Sequence, residues 1–190
     1  MALSLLRHLP NAICVLRILL TVPAVIAIAR GAHGAALACF AVAAISDGLD
    51  GYLAKRNGWT SELGRFLDPL ADKLLLVAVF IACAWNGLVP VWLAAAAIAR
   101  DLMIGGGALI YRVWFGPVNG HPIVLSKVNT ALQIAVVVAA LLAAAIGWPW
   151  AWLQQALAVA MLATTAASGA AYLTIFFRRA WAILGGPAAR

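Results

Sequence analysis

Asp47 and Asp50 stand three residues apart, Asp68 and Asp72 stand four apart, and together they are four of only six acidic residues in a chain of 190. On a helix, offsets of three and four bring side chains to one face, so each pair forms one acidic edge. Two such helices side by side would gather four carboxylates at one point. Crowded carboxylates repel one another and take up protons unless a cation neutralises them. A donor set of oxygen alone, without Cys or His, selects a hard ion. Mg2+ or Mn2+, as two ions per site, is the expected cofactor. Such a pair of ions suits phosphoryl transfer, because it binds a diphosphate and neutralises the leaving group while one carboxylate takes the proton of an attacking hydroxyl. The competing use of these acids, capping helices or pairing with Lys55, Arg56, Arg65 and Lys73, accounts for one Asp better than for four in this pattern.

The elements that position these acids are expected to be membrane helices. The chain is 66% hydrophobic and 10% charged, with a mean hydropathy of +1.02, whereas a soluble globule carries roughly 25% charged residues. Apolar runs near 12–29, 34–56, 66–84, 89–113, 124–146 and 151–177 are separated by glycine, proline or asparagine at 31–34, 58, 86–87, 116–120 and 147–149. Strand-like alternation is absent from these runs, which argues against a membrane barrel. The expected fold is an all-α integral membrane protein of six transmembrane helices, with residues 1–190 as a single transmembrane domain. Ala27-Ile28-Ala29 resembles a signal-peptidase site, but the run before it is long and carries Arg17, so it is read as a retained span.

The net charge of +7 does not point to nucleic acid, because the 13 Lys and Arg are scattered between apolar runs. They sort instead by side. Arg7, Lys55, Arg56, Arg65, Arg112, Lys127, Arg178, Arg179 and Arg190 fall on one side of a six-span arrangement and Arg30 on the other, so both termini and the acid cluster are expected to be cytoplasmic. The N-terminus has no long stretch rich in Arg and Ser, which favours a bacterial inner membrane or an already processed chain. Cys14, Cys39 and Cys83 lie in apolar runs with no CxxC spacing, so neither a disulfide framework nor a zinc site is expected.

Small residues accompany the acids. Gly48, Gly51 and Ala54 recur every third residue and Gly64 opens the third run, so a bulky group could approach the backbone closely, although small residues also serve helix packing. The stretch Asp47-Gly48-Leu49-Asp50-Gly51-Tyr52-Leu53-Ala54-Lys55, followed by Gly64, Asp68 and Asp72, resembles the signature of the CDP-alcohol phosphatidyltransferases, D-x2-D-G-x2-A-R-x8-G-x3-D-x3-D. Every fixed position is met except one, where Lys55 stands for Arg and Arg56 follows. A bidentate phosphate contact does not carry over from Arg to Lys.

The resemblance implies a six-helix membrane enzyme, usually a homodimer, that moves a phosphatidyl group from CDP-diacylglycerol to an alcohol and releases CMP. It implies that Asp47, Asp50, Asp68 and Asp72 hold the metals, that Asp72 is also the catalytic base, and that Gly51, Ala54, Lys55 and Gly64 line the CDP site. The segments 99–104, 125–133, 164–168 and 67–73 extend the likeness toward cardiolipin synthases of the mitochondrial type, whose acceptor is phosphatidylglycerol. Phosphatidylglycerophosphate synthases, whose acceptor is glycerol 3-phosphate, are the alternative.

Arg100 falls mid-span, where a guanidinium is costly unless it faces the interior and meets an anion. Asp101 points about 100° away around the helix and is not expected to be that anion. Arg100, Arg112 and Lys127 are expected to form a basic pocket for the acceptor's phosphate, against the plainer alternative that Arg100 bridges to the Asp cluster. Arg17 is expected to snorkel to the interface. His8, His33 and His121 are expected to be solvated. Trp148, Trp150 and Trp152 read as an interfacial anchor, and Arg178 and Arg179 with Trp181 as a C-terminal helix resting on anionic membrane lipids. A cation transporter is the rival class, but it would place its acids near the bilayer midplane, often in broken or repeated helices.

Overall fold

The structure is a computed structural model that describes residues 9–57, 62–115 and 124–183. Within these, it describes the side chains of 15–46, 73–110, 124–178 and Trp181. The described residues form six helices and no strand: α1 Leu9–Ala29, α2 His33–Asn57, α3 Glu62–Trp85, α4 Val91–Phe115, α5 Val124–Ile146 and α6 Ala151–Ile183. Each coincides closely with an apolar run of the sequence. Segments of three, Val91–Ile110, Val124–Ile146 and Ala151–Arg178, are long and apolar enough to cross a membrane, and shorter apolar stretches occupy Val15–Ala29, His33–Ser46 and Lys73–Trp85.

Two of the reversals turn on a glycine. Gly31 (φ 73°) and Gly87 (φ 71°) take the left-handed conformation that side chains disfavour. At each, the glycine N–H donates three residues back, Gly31 to Ile28 and Gly87 to Ala84. The next residue donates five back, Ala32 to Ala27 and Leu88 to Cys83. This pairing satisfies carbonyls that a helix end leaves open, and at the end of α3 Asn86 Nδ2 also donates to the Ala82 carbonyl at 2.9 Å.

The chain packs as two compact units, Met1–Val91 with Val137–Trp150, and Trp92–Val136 with Ala151–Arg190. In the first, α1 packs against both α2 and α3. Its buried edge runs Arg17, Thr21, Ala24, Ile28 at helical steps, and α2 contributes Ala36, Phe40 and Ala43 in the same way. Arg17 therefore departs from the expected snorkelling. Its register puts it on the buried edge, where it is 1% exposed, and Thr21 Oγ1 donates to its carbonyl at 3.0 Å. His33, expected to be solvated, is half-buried and its Nδ1 lies inside.

In the second unit, α4 and α6 run in the same direction, since Arg100 meets Ser168, Met103 meets Gly169 and Gly107 meets Phe176 in order along both. Gly107 permits close approach: a Cβ there would stand 2.6 Å from Cε2 of Phe176. Helix α6 does not break near residue 177, so Arg178, Arg179 and Trp181 belong to the same helix as the apolar run rather than to a separate one. Trp148 and Trp150, in the turn before α6, and Trp152, in its first turn, are all exposed.

Candidate functional site

The four aspartates lie on two helices of the first unit. Asp47 and Asp50 occupy the C-terminal half of α2, and Asp68 and Asp72 the N-terminal half of α3. Both pairs fall within uninterrupted helix, so each holds the i, i+3 or i, i+4 register that a shared face requires. Gly51, Ala54 and Lys55 continue α2 toward its end and Gly64 sits in the first turn of α3. The side chains of all these residues lie outside the described ones, so their placement here is by helix and register. Among the described residues no group of three or more His, Cys, Asp or Glu could hold a metal. The signature's donor set, four carboxylates on two helices, has the chemistry a hard divalent ion requires.

In the second unit, Arg100 is buried in the middle of α4 and its guanidinium is held on three sides. Nε donates to Ser168 Oγ on α6 at 3.0 Å, Nη2 to Ser126 Oγ on α5 at 2.8 Å, and Nη1 to Asp101 Oδ1 at 2.7 Å. The Arg100 and Asp101 side chains are 5% and 7% exposed. Arg100 faces the interior of its unit, as a costly mid-helix charge should, but the anion it meets is the one judged too far round the helix. The 100° between neighbouring Cβ directions applies at the backbone, and the long arginine side chain folds back across it. Three of the five N–H donors of the guanidinium are used in these contacts, and among the described residues the other two meet no acceptor.

Of the other residues expected in the basic pocket, Lys127 is exposed, one residue beyond Ser126 and turned off the buried face. Arg112 continues α4, and its side chain lies outside the described residues.

The polar contacts continue past Arg100. Asn129 is fully buried on α5, and its Oδ1 accepts from Thr165 Oγ1 at 2.8 Å and lies 2.9 Å from Thr164 Oγ1, both on α6. Thr164 Oγ1 also lies 3.0 Å from the carbonyls of Ala160 and Met161. Gln133, one turn further along α5, is 1% exposed. Sequence reasoning touched these residues only through a family likeness and assigned them no contact. The signal was present as polar residues at 126, 129 and 133, spaced i, i+3, i+7 along a mostly apolar helix.

Residues 7–177 match the CDP-alcohol phosphatidyltransferase family. The chain belongs to that family. Among curated proteins, this family member is 38% identical over 124 residues to "CDP-diacylglycerol--glycerol-3-phosphate 3-phosphatidyltransferase 1, chloroplastic" of Oryza sativa subsp. japonica, covering 56% of this chain and 38% of that protein. It is 34% identical over 155 residues to "Cardiolipin synthase (CMP-forming)" of Rattus norvegicus, covering 72% of this chain and 51% of that protein. With "CDP-diacylglycerol--glycerol-3-phosphate 3-phosphatidyltransferase" of Bacillus subtilis (strain 168) it shares 36% identity over 111 residues, 58% of this chain and 56% of that protein. The chain thus spans about half or less of the length of several curated relatives it matches. The matched family region includes both the aspartate helices and the Arg100 seam.

Proposed function

We propose that this protein transfers a phosphatidyl group from CDP-diacylglycerol to an alcohol, with phosphatidylglycerol as the acceptor and cardiolipin and CMP as products. The observation that carries the reading is the family match across 7–177, which contains four aspartates in register on two helices. In this reading the acceptor's hydroxyl oxygen attacks the lipid-side phosphorus of the diphosphate. The bond from that phosphorus to the CMP oxygen breaks, and CMP leaves with the electron pair. Asp72 takes the hydroxyl proton. Asp47, Asp50, Asp68 and Asp72 would hold Mg2+ or Mn2+, which supply charge neutralisation at the diphosphate. Gly51, Ala54, Lys55 and Gly64 line the CDP site, Lys55 as a point charge on phosphate rather than a fork.

Arg100, Arg112 and Lys127 receive the acceptor's phosphate. The two remaining N–H donors of Arg100 and the hydroxyl contacts that orient its plane support this role. The chain works in the membrane as six spans, as a homodimer, with its acids and both termini on the cytoplasmic side of a bacterial inner membrane. The distribution of Lys and Arg supports that orientation.

A second reading, glycerol 3-phosphate as acceptor, is favoured by the likeness to the rice and Bacillus proteins named for that reaction. The deciding experiment offers the full chain in detergent CDP-diacylglycerol with Mg2+ or Mn2+, adds each acceptor separately, and follows CMP and lipid product. Cardiolipin formed only with phosphatidylglycerol upholds the first reading. Phosphatidylglycerophosphate formed only with glycerol 3-phosphate replaces it with the second, and no CMP from either acceptor overturns both.

A further inference from the structure

Asn129 and Gln133 carry buried polar atoms that find no partner among the described residues. Asn129 Nδ2 is a donor without an acceptor, and Gln133 Oε1 is an acceptor without a donor. Such groups are costly to bury, so native interiors pair nearly all of them with protein, water or ligand. The two residues stand i, i+4 on α5, with Cβ atoms about 6 Å apart on one helix face. Ser126, on that same face, holds Nη2 of Arg100. One open donor and one open acceptor on the same helix face match the needs of a single hydroxyl, which accepts through its oxygen and donates through its proton. Thr165 Oγ1 donates to Oδ1 of Asn129, which leaves Nδ2 as the open atom of that amide, and Gln133 is 1% exposed.

We propose that Asn129 and Gln133 hold a hydroxyl of the acceptor alcohol, the one that does not react. The inference rests on the phosphatidyl-transfer reading. Both acceptors considered there end in a glycerol unit with one primary hydroxyl to attack and one secondary hydroxyl to be recognised. With Arg100 on the phosphate, the amide pair reads the polyol beyond it. A resident water offers the same chemistry, and the two sources separate by experiment. A held water leaves acceptor choice untouched, whereas a held substrate hydroxyl makes the site reject an acceptor that lacks it.

The test compares glycerol 3-phosphate with 3-hydroxypropyl phosphate, and phosphatidylglycerol with phosphatidylpropane-1,3-diol, in the wild-type protein and in Gln133→Met. The expected result is that wild type prefers the glycerol form by about tenfold or more in kcat/KM. Gln133→Met should reduce that preference to about twofold, with the KM for CDP-diacylglycerol unchanged and the melting temperature held or raised, since it replaces an amide whose buried oxygen has no partner among the described residues with an apolar group of similar shape. Full preference retained in Gln133→Met assigns the amides to water and overturns the inference. If that variant does not fold, wild type alone decides, because equal use of the two acceptor forms also overturns it. Wild type releasing no CMP with any acceptor is a different failure, that of the phosphatidyl-transfer reading itself.

Discussion

Nη1 of Arg100 donates to Oδ1 of Asp101, the next residue in the chain, at 2.7 Å. A charge placed mid-helix in apolar surroundings thus carries its counter-charge on its own backbone, and the two enter the packed unit together. Serines on α5 and α6 then fix the plane of the guanidinium, so the pair also ties three helices at one point.

Asp101→Asn should leave a buried guanidinium without compensation and destabilise the protein by about 3–5 kcal/mol. Replacing both partners with apolar residues, Arg100→Met with Asp101→Leu, should recover most of that loss while still weakening acceptor binding. Denaturation in detergent checks the first part and acceptor KM the second. A double variant as unstable as Asp101→Asn would contradict the pairing.

Gly107→Ala should cost about 1–3 kcal/mol by overpacking, because the new Cβ meets the Phe176 ring. Adding Phe176→Leu should relieve it. The comparison of the two melting temperatures is the measurement, and additive losses would mean that α4 and α6 do not touch there.

Asp72→Asn should lower turnover by about 10²–10⁴-fold, the usual worth of a general base. Binding of CDP-diacylglycerol, read by competition with CDP, should stay near normal. Near-normal turnover in this variant would remove Asp72 from the base role.

Chelation with EDTA should abolish CMP release, and Mg2+ or Mn2+ should restore it, as an all-oxygen donor set requires. Activity that survives exhaustive chelation would contradict the use of the four aspartates as metal ligands.

The helices and their ends were legible because their determinants are local: apolar runs of helical length, and a glycine just past the end of α1 and of α3. Arg100 was legible as an interior charge for the same reason, since its cost follows from its place in the run. Its partners were not. Ser168 lies 68 residues away and Ser126 lies 26 away, and only packing decides which hydroxyls meet. The burial of Arg17 was not legible from its side chain's length, which permits snorkelling. Its spacing to Thr21, Ala24 and Ile28 marks it as one of a buried row. The aspartate positions follow from spacing on two helices, and their side chains lie outside the described residues.

Helix α6 runs unbroken for 33 residues, about 50 Å at 1.5 Å per residue, whereas a hydrocarbon core is about 30 Å thick. The surplus is a stiff mast that begins apolar and ends in Phe177, Arg178 and Trp181. With the apolar Ala151–Arg178 stretch across a bilayer, a mismatch in thickness would be met by tilting this mast. Since the same helix carries Ser168, Thr164 and Thr165, any such tilt would carry the buried polar seam with it.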